Sequence, residues 1–255
     1  MIALAIAQQT VREALRRRVM WIFFVSGICL IAMGPVFGFL QPKDSQTVLR
    51  SLGLAAILLS GLFITIVTCI YLIPVEIERR TIYTVLSKPV QRYQFILGKF
   101  LGGFATVFIN IFAMGLVFLV MIYSLEKRLP TEMVIGVSLT FFQMMLLAAL
   151  SIFFSTFAAP VVNFFLSFGI FLVGNLSSVT DSLTANPNAL VSGIGKAVHY
   201  ILPNFGNFNI QNSIIHPTIE IKNQQVFIFQ NIIYAIVYSL VLLTLAVLIF
   251  DRREV

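Results

Sequence analysis

Residues 51–75 read SLGLAAILLSGLFITIVTCIYLIPV, a stretch without a single Asp, Glu, Lys or Arg. A helix of that length covers roughly 37 Å at about 1.5 Å per residue, more than the about 30 Å hydrocarbon core of a bilayer. Helical backbone also satisfies its own peptide groups, which lipid requires. Five further stretches share this character: Val19–Leu40, Phe100–Tyr123, Met133–Phe157, Val161–Thr180 and Val226–Phe250, none carrying a formal charge. The chain therefore reads as an all-α integral membrane protein with six transmembrane helices.

Composition agrees. Of 255 residues, 59% are hydrophobic and 11% charged, against about 45–50% and about 25% in soluble domains. The mean hydropathy is +0.97. Six crossings use about half the chain and leave no room for a separate soluble catalytic domain. The net charge of +7 fits loops against anionic headgroups better than nucleic acid. Arg12, Arg16, Arg17, Arg18, Arg79, Arg80, Lys88, Arg92, Lys99, Arg252 and Arg253 fall on one side of the expected spans. Lys43, Arg50, Lys127, Arg128, Lys196 and Lys222 fall on the other. The richer side is cytoplasmic by the positive-inside rule, which puts both termini inside. Cys29 and Cys69 lie within apolar runs and read as small hydrophobes.

Three connecting regions stand out in what reads as one domain over 1–255. Residues 1–18 form an amphipathic elbow helix, with Ala7, Val11, Ala14, Leu15 and Val19 at helical spacing and Arg12, Arg16 and Arg17 elsewhere. No Ala-x-Ala site follows Leu40 and more spans come after, so the start reads as retained rather than as a signal peptide. Residues 76–98 form a cytoplasmic loop. Residues 181–225 form an external loop between the fifth and sixth spans, divided by Pro187, Pro203 and Pro217. Within it Leu190, Ile194, Ala197 and Ile201 make an apolar stripe, expected as a short helix at the outer leaflet. The fourth-to-fifth turn, Ala158-Ala159-Pro160, is tight and uncharged.

Chemical motifs are few. Gly98-Lys99 has neither the upstream glycine nor the following hydroxyl of a P-loop. His199 and His216, the only histidines, have no cysteine or paired carboxylate beside them, so no metal site is expected. No Ser-His-Asp set or H-E-x-x-H is available, and no catalytic residue is assigned. Asn110, Gln143, Asn175 and Asn231 are the polar residues singled out in the spans. They read either as a weakly polar path or as interhelical hydrogen bonds. Gly34–Gly38 and Gly98–Gly102 match G-x-x-x-G, a frequent pattern in membrane helices, and Pro35 interrupts the first. Carriers driven by protons or ions need ionisable groups at membrane depth. The apolar runs hold none, so the energy for transport must come from a partner.

The 76–98 loop and its flanks read VEIERRTIYTVLSKPVQRYQFILGKFLG over residues 75–102. Glu76, Glu78, Arg79 and Arg80 make a charged first turn, with Glu76 and Arg80 at i, i+4. Ile82, Val85 and Leu86 make an apolar patch before Pro89 ends the helix. A short helix with an apolar knob and a charged collar fits a groove on another protein. Equally, such a segment could rest on headgroups, and the residues alone leave both readings open.

In order, Glu76, Glu78, Arg79, Thr81, Leu86, Ser87, Pro89, Arg92, Gly98 and Lys99 resemble the signature of ABC-2-type ABC transporter permeases. The nearest likeness is to the group that matures nitrous-oxide reductase and multicopper enzymes. That resemblance implies a type V exporter-like permease in a bacterial or archaeal cytoplasmic membrane. It implies a homodimer bound to two copies of a separate ABC ATPase, with Glu76, Glu78, Arg79, Arg80, Ile82, Val85 and Leu86 in a coupling helix. ATP and magnesium would sit on the ATPase and no cofactor on this chain. A periplasmic or extracellular partner is compatible with it. The alternatives are a non-transporting mechanical scaffold of an ABC-type complex, or a self-sufficient carrier or channel.

Overall fold

The computed structural model describes residues 2–40, 43–78, 91–176, 202–209 and 224–252, with five separate positions between 184 and 196. Its helices are α1 (Ile2–Leu15), α2 (Arg18–Leu40), α3 (Ser45–Cys69), α4 (Pro74–Glu78), α5 (Arg92–Glu126), α6 (Thr131–Ser155), α7 (Pro160–Asn175) and α8 (Gln224–Asp251). A 3-10 turn, Phe205–Phe208, lies between α7 and α8. Local chemistry sets several of the boundaries. Pro160 opens α7 at a position where its missing N–H costs nothing. Lys127 ends α5 in the left-handed region at φ 56°, its N–H donating to the Tyr123 carbonyl at 3.0 Å.

Five helical stretches are long and apolar enough to cross a membrane: α2, α3 with α4, α5, α6 and α8. The fifth expected span, Val161–Thr180, is described as helix only over Pro160–Asn175. Sixteen residues cover roughly 24 Å, short of a full crossing. Residues beyond 176 here, and the Leu190–Ile201 stripe, lie outside the described residues. The other runs match their helices within a few residues, except that α5 begins at Arg92 instead of Phe100 and α3 covers Ser45–Cys69 instead of Ser51–Val75. Each helix thereby takes in a charge near one end, Lys99 and Arg50.

Burial orders the bundle. The most apolar window of α3 is 72% buried, against 22% for α2 and 28% for α8. The core is therefore α3 with α5 and α6, while α2, α7 and α8 turn apolar faces outward. Ile22, Phe165, Phe229 and Leu248 are all exposed. Water would penalise that surface heavily, whereas acyl chains are as apolar as leucine and cost it nothing.

For the same reason lipid does not drive helices together, and contact depends on close fit by small residues. Buried residues of α2 form one seam: Met20, Gly27, Ile31, Gly34 and Gly38. A methyl at Gly27 would collide with Ser60 and Met114, and one at Gly34 would lie 2.9 Å from Leu49 Cδ1. Pro35 does not break this seam; α2 continues through it to Leu40. Opposite, Gly53 of α3 leaves room for the Phe118 ring of α5. At one end of this pair Arg50 binds Glu126 through two bonds, Nη2 to Oε2 at 2.6 Å and Nε to Oε1 at 3.1 Å.

Helix α1 packs on α5, and the Gly98–Gly102 pair is its seat. A methyl at Gly98 would lie 2.9 Å from the Ala3 carbonyl oxygen, and one at Gly102 2.7 Å from that of Ala7. The buried face of α1 is Ala7, Thr10 and Ala14. That corrects the expected face: Val11 and Leu15 are only half-buried, and Val19 is exposed on α2. Close approach decides the contact: Gly98 and Gly102 let the backbone at Ala3 and Ala7 come in, with Ile6 and Thr10 seated beside them.

Candidate functional site at the basic end of the bundle

Helix α4 ends at Glu78 and α5 starts at Arg92, the two stems of the 76–98 loop. Glu76 Oε1 accepts from Lys99 Nζ at 2.7 Å across the base of this loop. The Lys99 side chain is 6% exposed and that of Glu76 17%. Lys99 also lies 5.7 Å over the Phe95 ring. A charge this poorly hydrated is tolerable only with its partner in place.

Further contacts gather at the start of α5. Arg92 Nη1 donates to the carbonyls of Phe250 and Asp251, at 2.9 and 3.0 Å. Those are terminal carbonyls of α8, where a cation meets both unpaired acceptors and the negative end of the helix dipole. The Phe95 and Phe250 rings stack at 5.9 Å. Helix α1 sits on Gly98 and Gly102, and beyond it Arg17 binds Glu13 at 3.0 Å and lies 5.5 Å over the Tyr71 ring. Trp21 Nε1 donates to the Leu15 carbonyl at 2.9 Å and fixes the α1–α2 corner. Three elements, α1, α4 and α8, are thus bolted to the segment of α5 that follows the loop.

Of the seven loop residues expected to dock a partner, Glu76 and Glu78 are described; Glu78 is exposed. Arg79, Arg80, Ile82, Val85 and Leu86 lie outside the described residues. Glu76 engages Lys99, a residue the sequence reading matched as part of a signature but gave no role. A lone lysine inside FILGKFLGGF was the available signal.

Three of the four polar span residues converge on one feature. Gln143 Nε2 donates to Asn175 Oδ1 and to the Phe205 carbonyl, both at 3.1 Å. Asn231 Nδ2 donates to the Asn207 carbonyl at 3.0 Å, and the Tyr234 hydroxyl accepts from the Asn204 N–H at 2.9 Å. Phe171 meets Phe205 at 5.1 Å, and Gly174 makes room for Pro203 and Phe205. These residues seat the 3-10 turn, whose non-helical backbone must find partners from side chains. Asn110 stands apart, donating to Thr106 O at 2.8 Å and touching Met20 Sδ at 3.7 Å. Sequence reasoning passed over Asn163, which is fully buried, donates to Ser151 O at 2.8 Å, and accepts from Ser167 Oγ at 2.9 Å. It pins the tight α6–α7 turn.

Gln143→Leu is expected to loosen the 3-10 turn by about 1–3 kcal/mol, the cost of stranding a buried carbonyl. Maleimide labelling of a cysteine at Asn207, in a chain with Cys29 and Cys69 replaced by alanine, should quicken in Gln143→Leu and stay slow otherwise.

Apolar helices with a lipid-type exterior and ion pairs confined to their ends define a multi-pass α-helical membrane protein. The chain belongs to the ABC-2 family of transporter proteins, whose family model matches residues 4–255. It is therefore a transmembrane permease component, the membrane part of a transporter rather than a catalytic subunit, in a family that normally works with an ATPase partner. Among curated proteins none matches the chain.

Proposed function

We propose that this chain is the permease subunit of an ATP-driven transporter, a homodimer that docks two copies of a separate ATPase through residues 76–98. Six crossings, both ends in the cytoplasm, an elbow helix over 1–18 at the inner leaflet and an external 181–225 loop complete the arrangement. The setting is a bacterial or archaeal cytoplasmic membrane, and the kinship is with type V exporters of the enzyme-maturation group. Glu76, Glu78, Arg79, Arg80, Ile82, Val85 and Leu86 form the docking surface. The observation that carries this reading is the Glu76–Lys99 pair at 2.7 Å, which closes the base of the loop.

A loop with loose stems would absorb a push by extending. Here one stem is held to the other, and α5 is held to α1 and α8, so force on residues 79–90 moves several helices together. Toward the far end, the Arg50–Glu126 pair ties α3 to α5, and the displacement travels the length of the bundle. ATP binding changes the contacts at the loop, and that difference is the free energy available to move the permease.

Ile82→Asp and Leu86→Asp test it. Each is expected to leave membrane insertion intact and to lower co-purification of the cognate ATPase by at least about tenfold, the equivalent of about 1.4 kcal/mol lost from a small apolar knob. Unchanged ATPase capture by both variants would remove the docking assignment. Substrate flux in liposomes holding this chain alone would replace it with the self-sufficient carrier.

A further inference from the structure

Between α5 and α6, at the end of the bundle opposite Lys99, lies a groove of about 390 Å³ with almost entirely apolar walls. Phe112, Gly115, Leu116, Leu119, Val120 and Tyr123 line one side at the i, i+3, i+4, i+7 spacing of a single helix face. Val134, Val137 and Ser138 line the other. From Phe112 to Tyr123 the helix rises roughly 16 Å, about half the hydrocarbon thickness. The groove therefore runs through one leaflet, from the headgroup region to the midplane, which is the space one acyl chain occupies.

Charge marks its rim. The α5–α6 connection passes between two lining residues, Tyr123 and Leu129, and carries Lys127 and Arg128, both exposed. Lys127 holds the left-handed conformation that reverses the chain there, a rare geometry for a residue with a long side chain. Of the nearby carboxylates, Glu126 is engaged by Arg50, and Glu132 lies in the first turn of α6. The rim keeps a net positive charge over an apolar slot.

We infer that this groove is a binding site for one phospholipid of the adjoining leaflet, with an acyl chain in the slot and the phosphate on Lys127 and Arg128. The site stands on the membrane setting alone and is independent of ATPase docking. A basic pair at the surface and an apolar channel one leaflet deep match the two halves of a phospholipid. Neither a free phosphate nor a soluble peptide would use both.

Native mass spectrometry of the purified full-length chain, after exchange into detergent carrying phosphatidylglycerol, reads the occupancy directly. Wild type is expected to retain one lipid per chain. Lys127→Ala/Arg128→Ala is expected to lower retention at least about tenfold, as two basic groups at a lipid surface should. Ser138→Trp, which fills the slot without touching the charges, should lower it equally, whereas Glu132→Gln should raise it. Arg12→Gln/Arg16→Gln at the other end serves as the comparison for general charge loss. Retention unchanged in both the rim and slot variants, or lost equally in Arg12→Gln/Arg16→Gln, would overturn the site. Circular dichroism confirms that each variant stays folded, and Leu116→Trp replaces Ser138→Trp if that chain does not.

Discussion

Lys99→Met is expected to be the most damaging single change at the basic end of the bundle. It takes the ammonium partner from the Glu76 carboxylate, whose side chain is 17% exposed, and removing one partner of a buried pair costs about 3–5 kcal/mol. Glu76→Gln/Lys99→Met removes both members of the ion pair and should recover most of that loss, because the carboxylate that has lost its ammonium partner is neutralised with it. Thermal unfolding in detergent separates the three chains: low for Lys99→Met, near wild type for the double variant. ATP hydrolysis by the reconstituted complex then isolates the mechanical role. Should the double variant fold as wild type yet hydrolyse ATP without transport, the pair transmits force as well as stabilising the fold. Equal midpoints for the single and double variants would show that the ions are not energetically linked, and the clamp at the loop base would fall with that result.

Five of the six expected spans were legible in sequence as helices long enough to cross, because lipid imposes one simple rule, apolar length, and those stretches obey it. Val226–Phe250 and Met133–Phe157 correspond to α8 and α6 almost to the residue for that reason. Helix ends were less legible. An apolar run stops at the first charge, but a helix need not, since a lysine or arginine near the interface can be paired across to a neighbour. Lys99 and Arg50 both sit inside helices and both find carboxylates distant in sequence, Glu76 and Glu126. Pairing at such separation leaves no local pattern to read.

Polar residues divided along similar lines. Gln143, Asn175 and Asn231 were identifiable as out of place in lipid, yet the turn at Phe205–Phe208, which Gln143 and Asn231 reach directly and Asn175 through Gln143, could not be read because it is held by tertiary contacts. Asn163 stands inside the fifth apolar run, and its partner, the Ser151 carbonyl, lies across the α6–α7 turn, a contact that no local pattern announces. Glycine pairs were visible but ambiguous: G-x-x-x-G marks many helices, and only the close approach of a partner helix reveals which pairs are used. At Gly98 and Gly102 that approach is made by Ala3, Ile6, Ala7 and Thr10.

Gly102→Leu carries that last point to its consequence. A side chain at Gly102 would drive into Thr10 and the Ala7 carbonyl, backbone that cannot step aside without moving α1 as a whole. Overpacking a close contact costs typically about 1–3 kcal/mol, and a 14-residue helix has little stability of its own to resist it. The expected result is release of α1 from α5 while the membrane helices stay assembled. Trypsin cleavage after Arg12 and Arg16 should accelerate at least about tenfold, the equivalent of about 1.4 kcal/mol of lost docking. Gly169→Leu provides the contrast, because nothing lies within 4 Å of a side chain added there, and it should leave cleavage unchanged. If α1 is a working part of the clamp and not a passive anchor, Gly102→Leu should also uncouple ATP hydrolysis from transport with Glu76 and Lys99 intact. The two ends of the clamp would then fail separately, as two mechanical attachments to one helix must.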